Sequence, residues 1–368
     1  MTNAFAGVGK PLKSILHMNP DLPIYLATGN EAMVKLTAEI ADGWLPMGFM
    51  PGAMDEYRPW LEEGFRRAGF SAIFAAEGDI RAVKSFNQNV ADVAHQWNVE
   101  HVRDDLKSQI VVAGPPCQGF SSLGKRQAHD ERNRLSLCVA DWALAVDAKV
   151  VVIENVPQFL QSPYWKTIKR RLKRHGFEAT EWILNAADFG AAQLRTRAFA
   201  ILSKIGLPSP PEKNVHDHKT VREAFNGLPI DTGGDHMHVA PVPSSVALSR
   251  FRITPPRGDK RDIMRTAPDL CPPSWFSVAS EATDVWGRMD YDRPANTVRC
   301  CFQNASKGRY VHPVANRVIS LREGARLQGI PDHWVFHGDR SSIARQIGNG
   351  VPIPLAEAIA KSIAKLFQ

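Results

Sequence analysis

Ile110-Val-Val-Ala113-Gly114-Pro115-Pro116-Cys117-Gln118-Gly-Phe-Ser121-Ser-Leu-Gly124 reads as a short buried strand that stops at a rigid corner. Two consecutive prolines fix two φ angles and remove two backbone donors, so the strand ends there. The next residue is a cysteine, presented at the tip of that turn and followed by a Gly/Ser-rich loop. A thiol packed in a core does not need such scaffolding. A nucleophile does, because attack requires a fixed position.

Outward from this stretch, strands and helices alternate. Residues 71–76 form an apolar strand ending in Glu77, and Ile80 to Asn89 has helical spacing. Leu135 to Val146 is helical, and Val150-Val-Val-Ile153 is an apolar strand ending in Glu154-Asn155-Val-Pro157. Strands follow at Ala179–Leu184 and Ala198–Leu202. Apolar strands separated by helices predict a parallel sheet covered on both faces. Functional residues of such sheets collect at the carboxyl ends of strands. Glu77, Cys117 and Glu154 all stand at such ends. From residue 206 to about 290 prolines become frequent and the periodicity fades, which predicts an irregular second region. From Pro352 a C-terminal helix is expected, with Leu355, Ile359, Ile363 and Leu366 on one face.

The chain has 368 residues, enough for a large domain with a smaller one attached. Its composition is that of a soluble protein, with no apolar run of membrane-spanning length and no leader-like N-terminus. The five cysteines, Cys117, Cys138, Cys271, Cys300 and Cys301, have no paired or zinc-like spacing. A reducing cytoplasm without a metal site is the expected setting. Lysine and arginine number 45 against 38 acidic residues, a net charge of +7 compatible with a polyanionic partner. The excess is dense from Lys166 to His175, where Trp165, Ile168 and Leu172 recur at helical spacing. An amphipathic helix with a solvated basic face is the preferred reading over a dedicated phosphate-binding helix.

Further motifs follow in order. They are Asp130-Glu-Arg-Asn-Arg-Leu135, Gln193-Leu-Arg195-Thr-Arg197, Arg293-Pro-Ala-Asn-Thr297-Val298, Leu321-Arg-Glu-Gly-Ala-Arg-Leu-Gln328 and Gln346-Ile-Gly-Asn349-Gly-Val351-Pro352. Together with Pro-Pro-Cys117 and Glu154-Asn155-Val, this series resembles the DNA cytosine-5 methyltransferases from about residue 64 to the C-terminus. So many motifs in one order are specific where a single Pro-Cys is not.

The resemblance implies an α/β, Rossmann-like S-adenosylmethionine-dependent methyltransferase fold with a small irregular target-recognition domain. The expected division is an atypical segment 1–69, a catalytic domain 70–205, a recognition region 206–290 and a return to the catalytic domain over 291–368. It implies that Cys117 adds to carbon 6 of a flipped cytosine, that Glu154 serves ring nitrogen 3, and that Arg195 and Arg197 support both. Alternation places both arginines on one strand face. S-adenosylmethionine is expected at Glu77, Pro116, Leu135, Asn349 and Val351, and the cytosine at Gln118, Ser121, Asn155, Gln193 and Thr297. The family's adenine-contacting acid aligns with His101, with Asp104 as a shifted substitute. His216, His218, Arg250, Arg252, Arg257, Lys260 and Arg261 are candidate DNA contacts, with exposed charge as the alternative. Double-stranded DNA is the expected partner, with a cognate restriction endonuclease system, and the expected state is a monomer.

The N-terminus departs from the pattern. Phe5-Ala-Gly7-Val-Gly9 matches the letters of the donor loop, but Lys10 replaces the last glycine and only four residues precede it. Residues 9–68 instead resemble an internal fragment of luciferase-like deazaflavin-dependent monooxygenases, which predicts a chimeric junction near Glu63–Gly69. Such a fragment cannot close its own barrel. Strand Pro23–Ala27 is a candidate for the vacant sheet position. Alternative readings are a catalytically impaired DNA-binding relic, a flavin-type monooxygenase fragment and a cysteine hydrolase. The last lacks a histidine placed to act as base.

Overall fold

The computed structural model describes residues 73–89, 92–115, 134–214, 216–277 and 284–368, together with the short strands 25–26 and 43–44. Pro116, Cys117, Gln118, Ser121, the Phe5–Gly9 loop and most of the segment up to residue 69 lie outside the described residues.

The molecule is built on parallel strands with an antiparallel edge. β1 (Tyr25–Leu26), β2 (Gly43–Trp44), β3 (Ala75–Glu77) and β4 (Ala94–Gln96) pair in that order, all parallel. β1 lies next to β5 (Ile110–Ala113). β5 pairs in parallel with β6 (Val150–Asn155). β9 (Thr196–Ser203) then pairs antiparallel with both β6 and β7 (Glu178–Asn185). The expectation of a purely parallel sheet is therefore corrected at this edge. β7 returns to β9 through a short connection, 186–195, too short for the crossover that a parallel pair needs. That connection carries β8 (Gln193–Leu194), which pairs with β10 (Ala295–Asn296).

Every residue of β5 and β6 is buried, because helices cover both faces. On one face Val111, Ala113, Val151 and Ile153 pack against α2 (Cys138–Ala145) and α3 (Pro163–Lys173). Trp142 and Trp165 are the largest side chains of that layer and are fully enclosed. On the other face Ile110, Val112, Val150 and Val152 share a core with α1 (Ile80–Asn89) and with C-terminal helices. Asp79 starts α1 by accepting from the Arg81 amide at 2.7 Å. Residues 135–137 form a 3₁₀ turn ahead of α2, where the spacing predicts one continuous helix.

The proline-rich region holds more regular structure than its periodicity predicts. α4 (Val221–Phe225), α5 (Ser245–Ile253), α6 (Lys260–Thr266) and α7 (Pro273–Ser277) are too short to show a helical repeat. Their starts are nonetheless written in the sequence. Thr220 with Glu223, and Asp259 with Asp262, form capping boxes, and Ser244 caps α5. A small separate core joins Phe251 and Ile263 to Trp286, Ala305, Val311 and Val318, so this packing runs past residue 290. The chain ends with α8 (Leu321–Leu327), α9 (Arg340–Asn349) and α10 (Ile353–Ala364). Leu355, Ile359 and Ile363 of α10 enter the main core, and Leu366 packs against it.

Candidate active site

β6 ends in the two residues that organise the site. Asn155 is buried, and its Nδ2 donates to the Pro115 carbonyl at 2.9 Å. Its Oδ1 accepts from the Val156 amide at 2.8 Å. One side chain thus ties Pro115, just after β5, to the end of β6. Beside it, Glu154 is buried, and its Oε1 lies 3.0 Å from Nε of Arg197 on β9. The pairing register explains this meeting: Asn155 lies opposite Ala198, so Arg197 emerges just beyond the end of β6.

Alternation holds across residues 193–197. Gln193 and Arg195 are buried and Arg197 is partly buried, whereas Leu194 and Thr196 are exposed. The two arginines are used differently. Arg195 is 1% exposed, and its guanidinium donates to the Val298 carbonyl at 2.8 Å and the Asn349 carbonyl at 3.1 Å. It joins the β9 edge to two distant motifs. Gln193 is also turned to internal work. Its Nε2 donates to Leu327 O and Gln328 Oε1, and its Oε1 accepts from the Val298 amide. Thr297 is partly buried, and its hydroxyl donates to Leu194 O at 2.7 Å.

Glu77 stands at the carboxyl end of β3, fully buried, with Oε1 accepting from the amides of Gly78 at 2.8 Å and Asp79 at 3.1 Å. A carboxylate so held at a strand end suits a diol ligand, as in nucleotide-binding α/β folds. Leu135 and Val351 are buried, and Asn349 is partly buried at the end of α9. His101 and Asp104 are both exposed. Nearby, Arg103 pairs with Asp105 and lies 5.1 Å from the Phe74 ring centre.

Residues 61–365 match the family model of the C-5 cytosine-specific DNA methylases. The chain belongs to this family. It is 30% identical over 323 residues to the type II methyltransferase M1.HphI of Haemophilus parahaemolyticus, covering 82% of this chain and 83% of that one. It is 29% identical to the type II methyltransferase M.DdeI of Desulfomicrobium norvegicum, covering 84% and 86%. Among solved structures, a putative DNA modification methyltransferase encoded within a prophage of E. coli shares the fold. Its TM-score is 0.60 at 21% identity, covering 93% of this chain and 99% of that one. The Entamoeba histolytica methyltransferase EhMeth gives a TM-score of 0.63 at 13% identity, covering 92% and 96%.

In this methylase several supporting residues carry no separable sequence signal. Tyr310 donates its hydroxyl to Thr297 O at 3.1 Å and accepts from the Arg299 amide at 3.2 Å, so it clamps the 297–299 turn. Gly348 lies so close to that turn that a Cβ would stand 2.2 Å from the Arg299 carbonyl carbon. Gln328 donates to the carbonyls of Ile347 and Gly350 while holding Gln193. Its place at the end of the Leu321–Gln328 motif was the available hint. The candidate DNA contacts of the methylase divide. His216, Arg252 and Arg257 are exposed, and Arg257 pairs with Asp290 at 2.7 Å. His218 lies 3.1 Å from Asp188, and Arg261 pairs with Asp259 at 2.7 Å. Arg250 donates to Leu270 O and lies 4.6 Å from the centre of the Trp286 ring, inside the small core. Lys260 is buried. Among the described residues, no helix is long and apolar enough to cross a membrane.

Proposed function

We propose that this methylase transfers the methyl group of S-adenosylmethionine to carbon 5 of a flipped cytosine in duplex DNA through a covalent adduct on Cys117. The observation that supports the reading is the Asn155–Pro115 bond, which ties Pro115, two residues before Cys117 in sequence, to the strand end that carries Glu154 and its Arg197 partner. Carbon 5 of cytosine is a weak nucleophile. Addition of the Cys117 thiolate at carbon 6 pushes the ring electrons toward carbon 5. Glu154 stabilises that adduct at ring nitrogen 3, and Arg197 orients Glu154. After methylation a base takes the carbon 5 proton, and elimination returns the thiolate. S-adenosylmethionine, when bound, supplies an electrophilic methyl group. The buried, amide-held carboxylate of Glu77 fits its ribose hydroxyls, and Pro116, Leu135, Asn349 and Val351 complete the pocket. The flipped cytosine is assigned to Gln118, Ser121 and Thr297, whereas Asn155 and Gln193 act by positioning. The expected setting is the cytoplasm, with the chain as a monomer that protects DNA beside a cognate restriction endonuclease.

The test is tritium transfer from labelled S-adenosylmethionine to mixed-sequence duplex DNA, with Cys117→Ala as control. Label in DNA that disappears in the variant supports the reading. No label from a folded chain that still retains DNA favours the DNA-binding relic and places the fault in residues 1–69.

A further inference from the structure

The basic face of α3 is organised in a way that the periodicity alone does not show. Trp165, Ile168 and Leu172 anchor the helix in the core. Lys166, Lys169, Arg170, Lys173 and Arg174 recur at i, i+3, i+4, i+7 and i+8, a single stripe on the opposite side. These five cations line one shallow groove of about 420 Å³. Lys169 is neutralised by Glu181 at 2.8 Å, and Arg171, beside the stripe, by Asp141 at 2.6 Å. Among the described residues no carboxylate pairs with Lys166, Arg170, Lys173 or Arg174. Much of the chain's excess of seven positive charges is thus concentrated on one helix face.

We propose that this stripe is a second, sequence-independent DNA contact that holds phosphates of the duplex flanking the target site. The proposal rests on the DNA-methylating reading above. A surface lined by five cationic side chains, four of them without a carboxylate partner among the described residues, suits a polyanion better than a neutral or basic ligand. The stripe is about 12 Å long at the helical rise. A duplex carries one charge per ~1.7 Å of its axis, so several phosphates fall within that length. The position fits as well. α3 starts only a few residues beyond the β6 end that carries Glu154 and Asn155, and Lys166 stands in its first turn. A duplex arm leaving the site over this side meets Lys166 first and then the rest of the stripe.

Lysine acetylation read by mass spectrometry, with and without a duplex of about 40 base pairs, tests the contact at low and high salt. It is combined with the variant Lys166→Gln, Arg170→Gln, Lys173→Gln, Arg174→Gln. The duplex is expected to protect Lys166 and Lys173. The variant is expected to lose about tenfold in DNA affinity at low salt, with a log–log salt dependence shallower by about 3. Its methyl-transfer rate at saturating DNA is expected to be unchanged. DNA retained with both lysines unprotected, or with an unchanged salt slope in the variant, overturns the proposal and leaves the methylase reading intact. Protection by phosphatidylserine vesicles but not by the duplex assigns the stripe to a lipid surface instead and likewise overturns it. No retention of duplex by the wild-type chain at any salt removes the DNA reading and this surface together.

Discussion

Arg195 and Arg197 are two residues apart and carry the same charge, yet they call for different experiments. Arg195 is enclosed, and its fork satisfies two carbonyls from distant segments. Arg195→Lys keeps the charge but loses that geometry. Its urea midpoint is expected to fall by the equivalent of about 3 kcal/mol. Arg197 is partly exposed and faces Glu154. Arg197→Ala is expected to leave the midpoint within about 1 kcal/mol while lowering kcat by ~100-fold. Equal stability losses in both variants would remove the distinction.

The thiols separate in a similar way. Cys300 hydrogen-bonds Cys301, and this outweighs burial to pull the Cys301 thiol down to about 6, with Arg299 and Lys307 assisting. Burial, aided by Asp141, pushes Cys138 up to about 11. At pH 7 iodoacetamide is expected to label Cys301 at least about tenfold faster than Cys138, as read by peptide mass spectrometry. Both contrasts arise from neighbours distant in sequence or from burial. The motif spacing marks Arg195 and Arg197 alike and says nothing of their division of labour.

At the level of elements, α8 begins on a buried charged cluster. Ser320 and Glu323 form its capping box, and the Glu323 carboxylate takes two 2.7 Å bonds from Arg317. His312 lies against it, with Nε2 3.4 Å from Glu323 Oε1. The amides of Val314 and Ala315 donate to its Nδ1, so that nitrogen serves as an acceptor and the ring is neutral. Burial pushes the ring's pKa down to about 4, against the pull of Glu323, with Arg317, Arg288 and His238 adding to the fall. Between the unfolded value of 6.5 and about 4, the unfolded chain therefore binds a proton that the folded chain refuses. Stability is highest above this window and falls as pH drops through it, by on the order of 3 kcal/mol. Urea midpoints at pH 7 and pH 4.5 measure this loss, and His312→Gln is expected to flatten it. Gly348 of α9 is a second such point. Gly348→Ala places a methyl group against the Arg299 backbone, with an expected loss of about 3 kcal/mol or more in thermal or urea unfolding. The capping pairs are local, three residues apart in sequence. The packing that makes these two positions sensitive joins segments tens of residues apart and leaves no local trace.

Across the whole molecule, the family match begins at residue 61, whereas the sheet continues back to β1 and β2 at residues 25–44. Those strands stand between β3 and β5. A chain starting at residue 61 would leave the β3 and β5 edges unpaired. Such a chain is expected to lose cooperative unfolding and to aggregate, as read by calorimetry and light scattering. Full retention of both would show that the segment is dispensable.

The sequence by itself determined the alternation of buried strands and helices and the order of the motifs. Each of these rests on residues adjacent to one another or at helical and strand spacing. Only the tertiary structure decided the antiparallel edge at β9, the fastening of Pro115 by Asn155, and the pairing of Glu154 with Arg197 rather than Arg195. It also decided the pairing of Lys169 with Glu181 and of Arg171 with Asp141 on α3. Those outcomes depend on which strand lies beside which and on what each buried polar group finds there. Chain neighbours do not encode either, because burial and hydrogen-bond satisfaction are settled by segments brought together only on folding.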